Sequence, residues 1–574
     1  MLTKKNIVRD RRIIFSFILL LFILLARLIF IQCFHSRYLA GLGAKQHNLF
    51  VELEPKRGTI FDARLRPLAL NIPTDSLYAV PPDINDKEVF IRQLSSFLDI
   101  DTRSVRDKVS QKKQFVWLFR KLDKEKSGKI KEAKVRGVGF IRESKRCYPN
   151  HYLASQVIGF AGLDNIGLEG IELNYDRFLK GSSGLSLILR DARQRGILLE
   201  KEILPAKDGY NIVLNIDSVI QFIVERALDK MCSQYRPRAA TVIVMEPATG
   251  KILALANRPT FDINDFKESN LETRRNRAIT DMFEPGSVFK IVTASCALQE
   301  NKVKEEDKFF CENGTYRVAN HILHDHTPHG ILTFREVIEQ SSNIGTTKVA
   351  QILGPPLLYN YIRLFGFGSK LGIDLPGEIP GVAKPPSSWS KVSIGAIPIG
   401  QEIGITALQL ASSISVIANQ GRLMRPYMVN SIIDNQNVAI KEFKSHLIRQ
   451  AISESTATRL KDILVGVVEN GTGRLAKIPG VKIAGKTGTG QKLEPDGSYS
   501  HSKFFASFIG FFPADEPMVS MAVVVDEPRP VYYGGVVAAP VFKEIAADVL
   551  KYLGARPRQE FALTNSGKDL FSQR

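Results

Sequence analysis

The longest predominantly apolar stretch of the chain runs from Ile13 to Ile31, near the N-terminus. As a helix it would rise about 28 Å, close to the roughly 30 Å hydrocarbon core of a bilayer. The basic residues before it are Lys4, Lys5, Arg9, Arg11 and Arg12. Because positive flanks stay in the cytoplasm, we predict a cytoplasmic tail at 1–12, an uncleaved anchor at 13–33 and the rest of the chain outside. A cleaved signal peptide fits less well, since no small-residue cleavage site follows Ile31.

Shorter patterns follow the anchor. They predict a helical neck at 34–55, short strands and turns at 57–69, charged amphipathic helices at 85–135, Gly-rich turns at 136–181 and strands at 182–210. Nothing in these segments indicates a reaction. We therefore predict that residues 34–205 form an α+β scaffold domain with a structural role.

A second pattern begins near Tyr210, where longer apolar segments alternate between strand and helix spacing. Predicted helices are Ser218–Met231, Gln401–Ala418, Thr456–Val468 and Pro540–Leu553, with a capping-box start at Thr333. Predicted strands are Asn211–Asn215, Thr241–Met245, Lys251–Ala256, Val481–Thr489, Phe504–Phe511 and Met518–Val525. This order favours an α+β domain over residues 206–556, with a mixed sheet between helices. Residues 557–574 are predicted to be a C-terminal tail.

Composition agrees with a folded, multidomain protein. The chain has 574 residues, 44% of them hydrophobic and 24% charged, and a formal net charge of +19. Much of the positive charge lies in residues 101–150, which could indicate nucleic-acid binding. Because the predicted topology places this stretch outside the cytoplasm, we interpret it as a solvated basic face near anionic envelope polymers or lipid head groups, and we predict no nucleic-acid partner.

The five cysteines are Cys33, Cys147, Cys232, Cys296 and Cys311. None forms a Cys-x-x-Cys pair, so no metal site is predicted, and no other cofactor is indicated. Their number is odd, and their disulfide state stays open.

One helix start carries the clearest chemical signal. Pro285 and Gly286 precede Ser287, and Lys290 follows one turn later in an apolar run. Residues three apart share a helix face, so Lys290 can reach the Ser287 hydroxyl. A serine becomes a nucleophile when a neighbour takes its proton, and a lysine of lowered pKa can do this.

Ser-x-x-Lys alone is weak evidence, since it also occurs at Ser110/Lys113, Ser388/Lys391 and Ser500/Lys503. Only the pair at Ser287 is followed, in order, by Ser-x-Asn and Lys-Thr-Gly motifs. These motifs are Ser341-Ser342-Asn343 and Lys486-Thr487-Gly488-Thr489. The ordered triple is typical of penicillin-binding proteins and class A β-lactamases.

From Arg57 onward the chain resembles the class B penicillin-binding proteins, most of all their division-specific, FtsI-type branch. The resemblance rests on Arg57–Ala69, Arg146–Phe160, Gly167–Glu172, Glu284–Lys290, Ser341–Asn343, Ala484–Gln491, Ala506–Ala514 and Tyr532–Phe542. The chain departs from the family at Ala63-Arg64, where Arg-Asn is usual, and at Gly490, where Ala is usual. We expect Gly490 to loosen the strand beside the site.

The resemblance implies an elongated α+β pedestal of the dimerisation type at 34–205 and a serine β-lactamase-like transpeptidase domain. It also implies a D,D-transpeptidase that cross-links peptidoglycan stem peptides at the septum. Ser287 would be the nucleophile, Lys290 the base and Ser341 a proton relay, with Lys486 as the cation that lowers the Lys290 pKa. Substrate would bind Asn343, Lys486, Thr487, Gly488 and Thr489. The family's oxyanion hole would use the backbone N–H groups of Ser287 and Thr489. Arg57 and Glu169 are interpreted as structural.

Implied partners are β-lactam antibiotics, a SEDS-type glycosyltransferase, other divisome membrane proteins and the cytoplasmic (inner) membrane of a bacterium. A β-lactamase is disfavoured because no deacylating base can be placed, and a β-lactam sensor because so few residues precede the anchor. A bifunctional glycosyltransferase is disfavoured because residues 34–200 carry no carboxylate constellation. An elongation-type transpeptidase and a non-catalytic division scaffold remain alternatives. The sequence leaves open the acceptor residue of the stem peptide, the oligomeric state and the antibiotic affinity.

Overall fold

A computed structural model describes residues 4–111, 113, 115–190, 196–494 and 496–554. The predicted C-terminal tail, 557–574, lies outside the described residues. The described residues form two compact units, one within 4–56 and 181–209 and the other within 57–180 and 210–554.

The described α-helices are α1 Lys4–Ile29, α2 Ser36–His47, α3 Lys87–Leu98, α4 Thr102–Val109, α5 Lys124–Glu132, α6 Ser155–Ile158, α7 Gly170–Asn174, α8 Asp176–Leu179, α9 Ser218–Tyr235, α10 Leu271–Arg274, α11 Arg277–Thr280, α12 Lys290–Gln299, α13 Phe334–Glu339, α14 Asn343–Leu353, α15 Pro355–Leu364, α16 Ser393–Ala396, α17 Ala407–Ala418, α18 Glu454–Glu469 and α19 Gly534–Tyr552. The described strands are β1 Asn48–Leu53, β2 Ile60–Phe61, β3 Pro67–Ala79, β4 Val116–Leu122, β5 Val138–Cys147, β6 Gly184–Arg190, β7 Gly196–Leu204, β8 Asn211–Leu214, β9 Ala239–Met245, β10 Ile252–Arg258, β11 Lys308–Phe310, β12 Thr315–Val318, β13 His321–His324, β14 Ile331–Thr333, β15 Arg422–Met424, β16 Val429–Ile433, β17 Ala439–Glu442, β18 Leu447–Gln450, β19 Ala484–Leu493, β20 Tyr499–Phe512 and β21 Val519–Asp526.

The first unit holds the predicted anchor. Within the described residues, one helix, Ile7–Phe34, is long and apolar enough to cross a membrane, and its side chains are exposed. The neck prediction is right for α2, but the chain then becomes extended as β1, because residues 48–53 pair with a strand more than 130 residues later in the chain. β1 pairs with β6, and β6 with β7, in an antiparallel sheet.

In the second unit, a seven-stranded sheet joins early and late parts of the chain in the order β17-β16-β8-β2-β3-β4, with β5 also on β3. Arg57 and Arg146 both donate to the buried Glu172, at 2.6 and 2.7 Å. Glu169 forms an ion pair with Arg274 at 3.3 Å. These ion pairs confirm the structural interpretation of Arg57 and Glu169.

The motif-bearing region is built on a five-stranded sheet in the order β10-β9-β21-β20-β19. Its β9 residues alternate between two cores: Val242 and Val244 pack with α9 and α19, whereas Ile243 and Met245 pack with α12 and α17. Helices therefore cover both faces, as predicted. The sheet is antiparallel throughout rather than mixed, because β9–β10 and β19–β20–β21 are strands connected by short loops.

Three predicted elements need correction. The helix expected at Gln401–Ala418 begins only at Ala407, because the Gly404 and Ile405 N–H groups bond the Val382 and Phe283 carbonyls. The charged segment 85–135 contains the strand β4, whose apolar residues pair with β3. The last helix begins at Gly534, so Pro540 lies inside it at the cost of one backbone hydrogen bond.

Candidate active site

The Ser287 turn is held by close backbone packing. Gly286 has a φ of 59°, and a Cβ there would lie 2.8 Å from the Thr489 carbonyl oxygen. A Cβ on Gly400 would lie 2.2 Å from the Gly286 carbonyl oxygen, and the Gly286 N–H donates to the Gly400 carbonyl at 3.1 Å. Only glycine fits these positions without movement. The chain then makes one 3₁₀ turn, Gly286–Phe289, before α12 begins at Lys290.

Gly490 supports the same contact. It stays in register with Phe505 in β20, and a Cβ there would lie 2.4 Å from the Glu284 carbonyl oxygen. The structure therefore shows a close approach of β19 to the Ser287 turn at this position rather than the expected loosening of the strand.

Lys290 is fully buried and points into the motif cluster. Its Nζ donates to the Ser341 carbonyl at 2.6 Å, to Asn343 Oδ1 at 2.8 Å and to Ser341 Oγ at 3.2 Å. Burial lowers the pKa of Lys290 to about 7, against smaller opposing effects of Asp325 and Cys311. An amine of this pKa is partly neutral near pH 7, which a proton acceptor requires.

Ser341 lies between two short helices. Thr333 caps α13 through the predicted capping box with Glu336, and α14 begins at Asn343. Ser341 itself has a φ of 60°, an unfavourable conformation for a residue with a side chain. The turn directs its hydroxyl toward both lysines, which supports a functional reason for the strain.

Asp325 fixes the Ser-x-Asn turn and was not predicted from sequence. Its carboxylate accepts from the Asn343 N–H at 2.5 Å, the Ile344 N–H at 3.1 Å and the Ser342 hydroxyl at 2.7 Å. The Asn343 side chain also donates to the His324 carbonyl at 2.8 Å. A carboxylate at a helix N-terminus satisfies free N–H groups and orients the first residues of the helix. Asp325 precedes α14 by a β-strand and α13, so no local sequence signal links it to the motif.

Lys486, on β19, is also fully buried. Its Nζ donates to Ser341 Oγ at 2.8 Å and to the Thr487 carbonyl at 3.1 Å. The pKa of Lys486 lies well below its usual value because of burial, with a further lowering by Lys290. Burial is the main cause of the lowered Lys290 pKa. Repulsion between two ammonium groups is mutual, so the predicted influence of Lys486 on Lys290 stays a prediction.

The remaining Lys-Thr-Gly positions follow the alternation of β19. The Thr487 hydroxyl bonds Thr472 at 2.6 Å, and Thr489 Oγ1 accepts from the Gly534 N–H at 3.1 Å. The Thr489 hydroxyl therefore keeps its own proton for a ligand. A Cβ on Gly488 would lie 2.4 Å from Ser507 Oγ, so the strand needs glycine for packing as well as for access.

The structure thus brings together Lys290, Ser341, Asn343 and Lys486 by direct hydrogen bonds. Among the described residues, no hydrogen bond joins Ser287 Oγ to Lys290, although the half-buried Ser287 lies one turn away on the same segment. Such bonds are often long in enzymes without substrate. The arrangement offers a low-pKa amine bonded to a serine hydroxyl that can both accept and donate a proton.

Comparisons with known proteins agree with this geometry. The family model of the penicillin binding protein transpeptidase domain matches residues 240–547, and that of the penicillin-binding protein dimerisation domain matches residues 52–214.

Relatives cover most of the chain. Stage V sporulation protein D of Bacillus subtilis is 34% identical over 566 residues, which is 96% of this chain and 88% of that protein. Peptidoglycan D,D-transpeptidase FtsI of Escherichia coli K12 is 30% identical, over 96% of this chain and 93% of the relative. A crystal structure of penicillin binding protein 3 from Mycobacterium tuberculosis, complexed with aztreonam, superposes with a TM-score of 0.69 at 26% identity, covering 88% of this chain and 99% of the other. The chain therefore belongs to the class B penicillin-binding proteins, the peptidoglycan D,D-transpeptidases that join a dimerisation domain to a transpeptidase domain.

Proposed function

We propose that Ser287 is the nucleophile of this transpeptidase and that Lys290 is its general base. The observation that carries the proposal is the buried Lys290 amine, which has a pKa of about 7 and is bonded to the Ser-x-Asn motif. Ser287 attacks the amide carbonyl between the two terminal D-alanines of a donor stem peptide. The terminal D-Ala leaves, and an amine of a neighbouring stem peptide then attacks the acyl-enzyme and frees Ser287.

Ser341 is proposed to relay the proton from Lys290 to the leaving nitrogen. Its hydroxyl lies 3.2 Å from the Lys290 Nζ and 2.8 Å from the Lys486 Nζ. A hydroxyl both donates and accepts, so it can pass a proton between two groups that do not touch. The amide of Asn343 holds Lys290 through Oδ1 and is positioned to bond the substrate peptide.

We propose that the substrate's terminal carboxylate changes the protonation of Lys486 and Lys290. It would bind beside Lys486, Thr487 and Thr489, where the Thr489 hydroxyl has a free proton. A carboxylate near Lys486 raises the pKa of that lysine, because an opposite charge favours the ammonium form. A protonated Lys486 then disfavours a proton on Lys290, which becomes the neutral base when substrate is bound.

The biological role is proposed to be septal cross-linking. The support is the similarity to FtsI over 96% of the chain and the Tyr532–Phe542 segment typical of that branch. The chain is also similar to stage V sporulation protein D, and an elongation-type transpeptidase is the alternative. The position of the protein in the cell tests the division role against that alternative. A fluorescent fusion expressed from its native locus should concentrate at mid-cell, and a uniform side-wall pattern would refute the division role.

We also propose a single-pass topology with residues 1–12 in the cytoplasm and both extramembrane domains outside. The basic residues before Ile13 support this orientation. The anchor and the pedestal are then the surfaces available to a SEDS-type glycosyltransferase and other divisome membrane proteins.

Transpeptidation itself is tested with a donor peptide that ends in D-Ala-D-Ala and an excess of an amine acceptor. Mass spectrometry should show release of D-Ala together with a donor–acceptor product, and both should disappear in Ser287→Ala. Release of D-Ala with water as the only acceptor would contradict transpeptidation and indicate a carboxypeptidase.

A further inference from the structure

The region matched by the dimerisation-domain model presents aromatic rings on one face of its sheet. In β4, Leu118 packs in a hydrophobic core with residues of α3, α4 and α5. Side chains alternate along a strand, so Trp117 and Phe119 lie on the opposite face. Tyr78 in β3 pairs with Trp117 and belongs to the same face. The helices therefore cover one side of β3 and β4, and the rings occupy the other.

The rings hold one another in place. Phe115 stacks on Tyr78 with centroids 4.8 Å apart, and it meets Trp117 nearly at a right angle at 4.9 Å. Tyr78 also lies tightly against β5, where a Cβ on Gly139 would be 2.2 Å from the Tyr78 ring. Phe115 and Phe119 remain 36% and 37% exposed. Tyr78, Phe115, Trp117 and Phe119 thus form one aromatic face, part of which is open to solvent.

A charged group borders the aromatic face. The Arg120 guanidinium lies 5.6 Å from the centroid of the Trp117 ring, and it donates to Glu143 at 2.7 Å and to Asp164 Oδ1. The Asp164 side chain is 71% exposed, and its second oxygen accepts no hydrogen bond from the residues that the structure describes. Arg120 therefore fixes an accessible carboxylate beside the rings.

Rings and carboxylate together match the two surfaces of a sugar. A pyranose carries C–H groups on its faces and hydroxyl groups around its rim. The C–H groups pack on the electron-rich face of an aromatic ring, and the hydroxyl groups donate to a carboxylate. Two partly exposed phenylalanine rings are a small apolar area for a protein interface. A carbohydrate is therefore the better match to the aromatic face.

Family and charge indicate which carbohydrate. The chain belongs to the enzymes that act on peptidoglycan, so the glycan strand of that polymer is the polysaccharide it meets. Such strands carry carboxylates on their lactyl groups and on their stem peptides. Residues 101–150, which include β4, contain 16 Lys or Arg residues and 6 Asp or Glu residues. These basic surroundings complement an anionic strand.

We propose that the aromatic face, together with Arg120 and Asp164, binds a glycan strand of peptidoglycan outside the transpeptidase site. Sugar rings pack on Phe115 and Phe119, and their hydroxyl groups donate to the free oxygen of Asp164. The site makes and breaks no covalent bond; it retains a strand on the enzyme. The proposal rests on the family of the chain and is independent of the roles proposed for Ser287 and Lys290.

The probes are glycan strands freed of stem peptides, chitotetraose as a neutral sugar chain, and tetraglutamate as an anion without sugars. Each is titrated calorimetrically into the full chain, in a detergent without a sugar head group and after benzylpenicillin has occupied the transpeptidase site. We expect saturable binding of the strands and of chitotetraose, and much weaker binding of tetraglutamate. Binding of tetraglutamate alone would overturn the proposal, because charge would then account for it.

Variants locate the binding on the aromatic face. Phe119→Ala and Asp164→Asn should each weaken chitotetraose about tenfold, the loss expected of a central contact residue. Phe222→Ala is the matched control, since this phenylalanine in α9 is 57% exposed and has the Arg226 guanidinium 5.8 Å from its ring centroid. Wild-type affinity in both Phe119→Ala and Asp164→Asn, or an equal loss in Phe222→Ala, would contradict the assignment.

Tryptophan fluorescence keeps the test decisive if a variant on the aromatic face does not fold. The chain contains two tryptophans, Trp117 and Trp389, so Trp389→Phe leaves Trp117 as the single emitter. Saturating chitotetraose should shift the Trp117 emission and slow its quenching by acrylamide. Unchanged emission and quenching, or no binding of either sugar probe to the wild type, would overturn the proposal and leave the aromatic face to a protein partner.

Discussion

At the scale of single residues, the proposed chemistry depends on two buried lysines that share one hydroxyl. Lys290 and Lys486 both donate to Ser341 Oγ, and burial lowers both pKa values. The ammonium form of Lys290 has more stabilising partners than that of Lys486. Lys290 also donates to the Ser341 carbonyl and to Asn343 Oδ1, and it lies near Asp325. The proton distribution between the two lysines is therefore poised to shift when an anion binds near Lys486.

The first prediction concerns pH. Because the Lys290 pKa is lowered to about 7, the lysine is mostly neutral at pH 8 and mostly protonated at pH 6. The rate constant of acylation by benzylpenicillin should therefore fall about tenfold from pH 8 to pH 6. Stopped-flow or quench-flow measurement gives the profile. Lys391→Gln, at the lysine of another Ser-x-x-Lys pair, should leave it unchanged, and a flat profile would contradict the role of Lys290 as base.

The second prediction concerns Asp325. Asp325→Asn removes a charge that favours the protonated Lys290, so the acid limb of the pH–rate profile should move to lower pH. It also weakens the bonds to the Asn343 and Ile344 N–H groups, so acylation at pH 8 should slow about tenfold. Glu312→Gln, which affects only the nearby ion pair with Lys348, is the control. A slower rate with an unshifted limb would show that Asp325 acts on position alone.

At the scale of elements, the site forms where loops from distant parts of the chain meet one edge strand. The Ser287 turn lies against β19 and against Gly400, and the Ser-x-Asn turn is held by the residue after β13. Local patterns predicted most of the elements, because amphipathic spacing, caps and turn residues are local. They did not predict β4, β1 or the start of α17, where pairing with a remote strand or loop determines the conformation.

The same distinction applies to the site. The three motifs could be recognised because the spacing within each is fixed by one turn or one strand. Asp325, Thr472 and Gly400 could not, since each contributes one group from elsewhere in the chain and has no characteristic neighbours. The sequence also does not reveal that burial lowers the pKa of both lysines or that Asp325 opposes this effect at Lys290.

The third prediction tests the support of the Ser287 turn. Gly400→Ala adds a Cβ at a φ of 83°, 2.2 Å from the Gly286 carbonyl oxygen. The turn must move, so acylation should slow at least tenfold, and the free energy of unfolding should fall by about 1–3 kcal/mol. Gly128→Ala, in α5, meets nothing within 4 Å and serves as the control. Wild-type acylation in Gly400→Ala would show that the turn is held by other contacts.

At the scale of the whole molecule, the larger unit depends on buried charge in the region covered by the dimerisation-domain model. Glu172 is fully buried and accepts from Arg57 and Arg146, and the Tyr148 hydroxyl lies 3.2 Å from the same carboxylate. The two arginines come from separate segments, before β2 and at the end of β5. Removing the carboxylate leaves two buried cations without their main partner.

The fourth prediction follows from this arrangement. Glu172→Ala should lower the free energy of unfolding by about 3–5 kcal/mol, measured by chemical denaturation. Glu169→Ala removes a partly exposed ion pair with Arg274 and should cost less than about 1 kcal/mol. Similar losses for the two variants would contradict the structural importance of the buried arrangement.

The most direct test of the central claim is covalent labelling with a fluorescent penicillin, compared among the wild type, Ser287→Ala and the control Ser388→Ala, at the serine of another Ser-x-x-Lys pair. A serine transpeptidase that deacylates slowly should retain a stable adduct in the wild type and in Ser388→Ala, and peptide mapping should locate it on Ser287. Folded Ser287→Ala should carry none. An undiminished adduct in Ser287→Ala would show that another residue is the nucleophile.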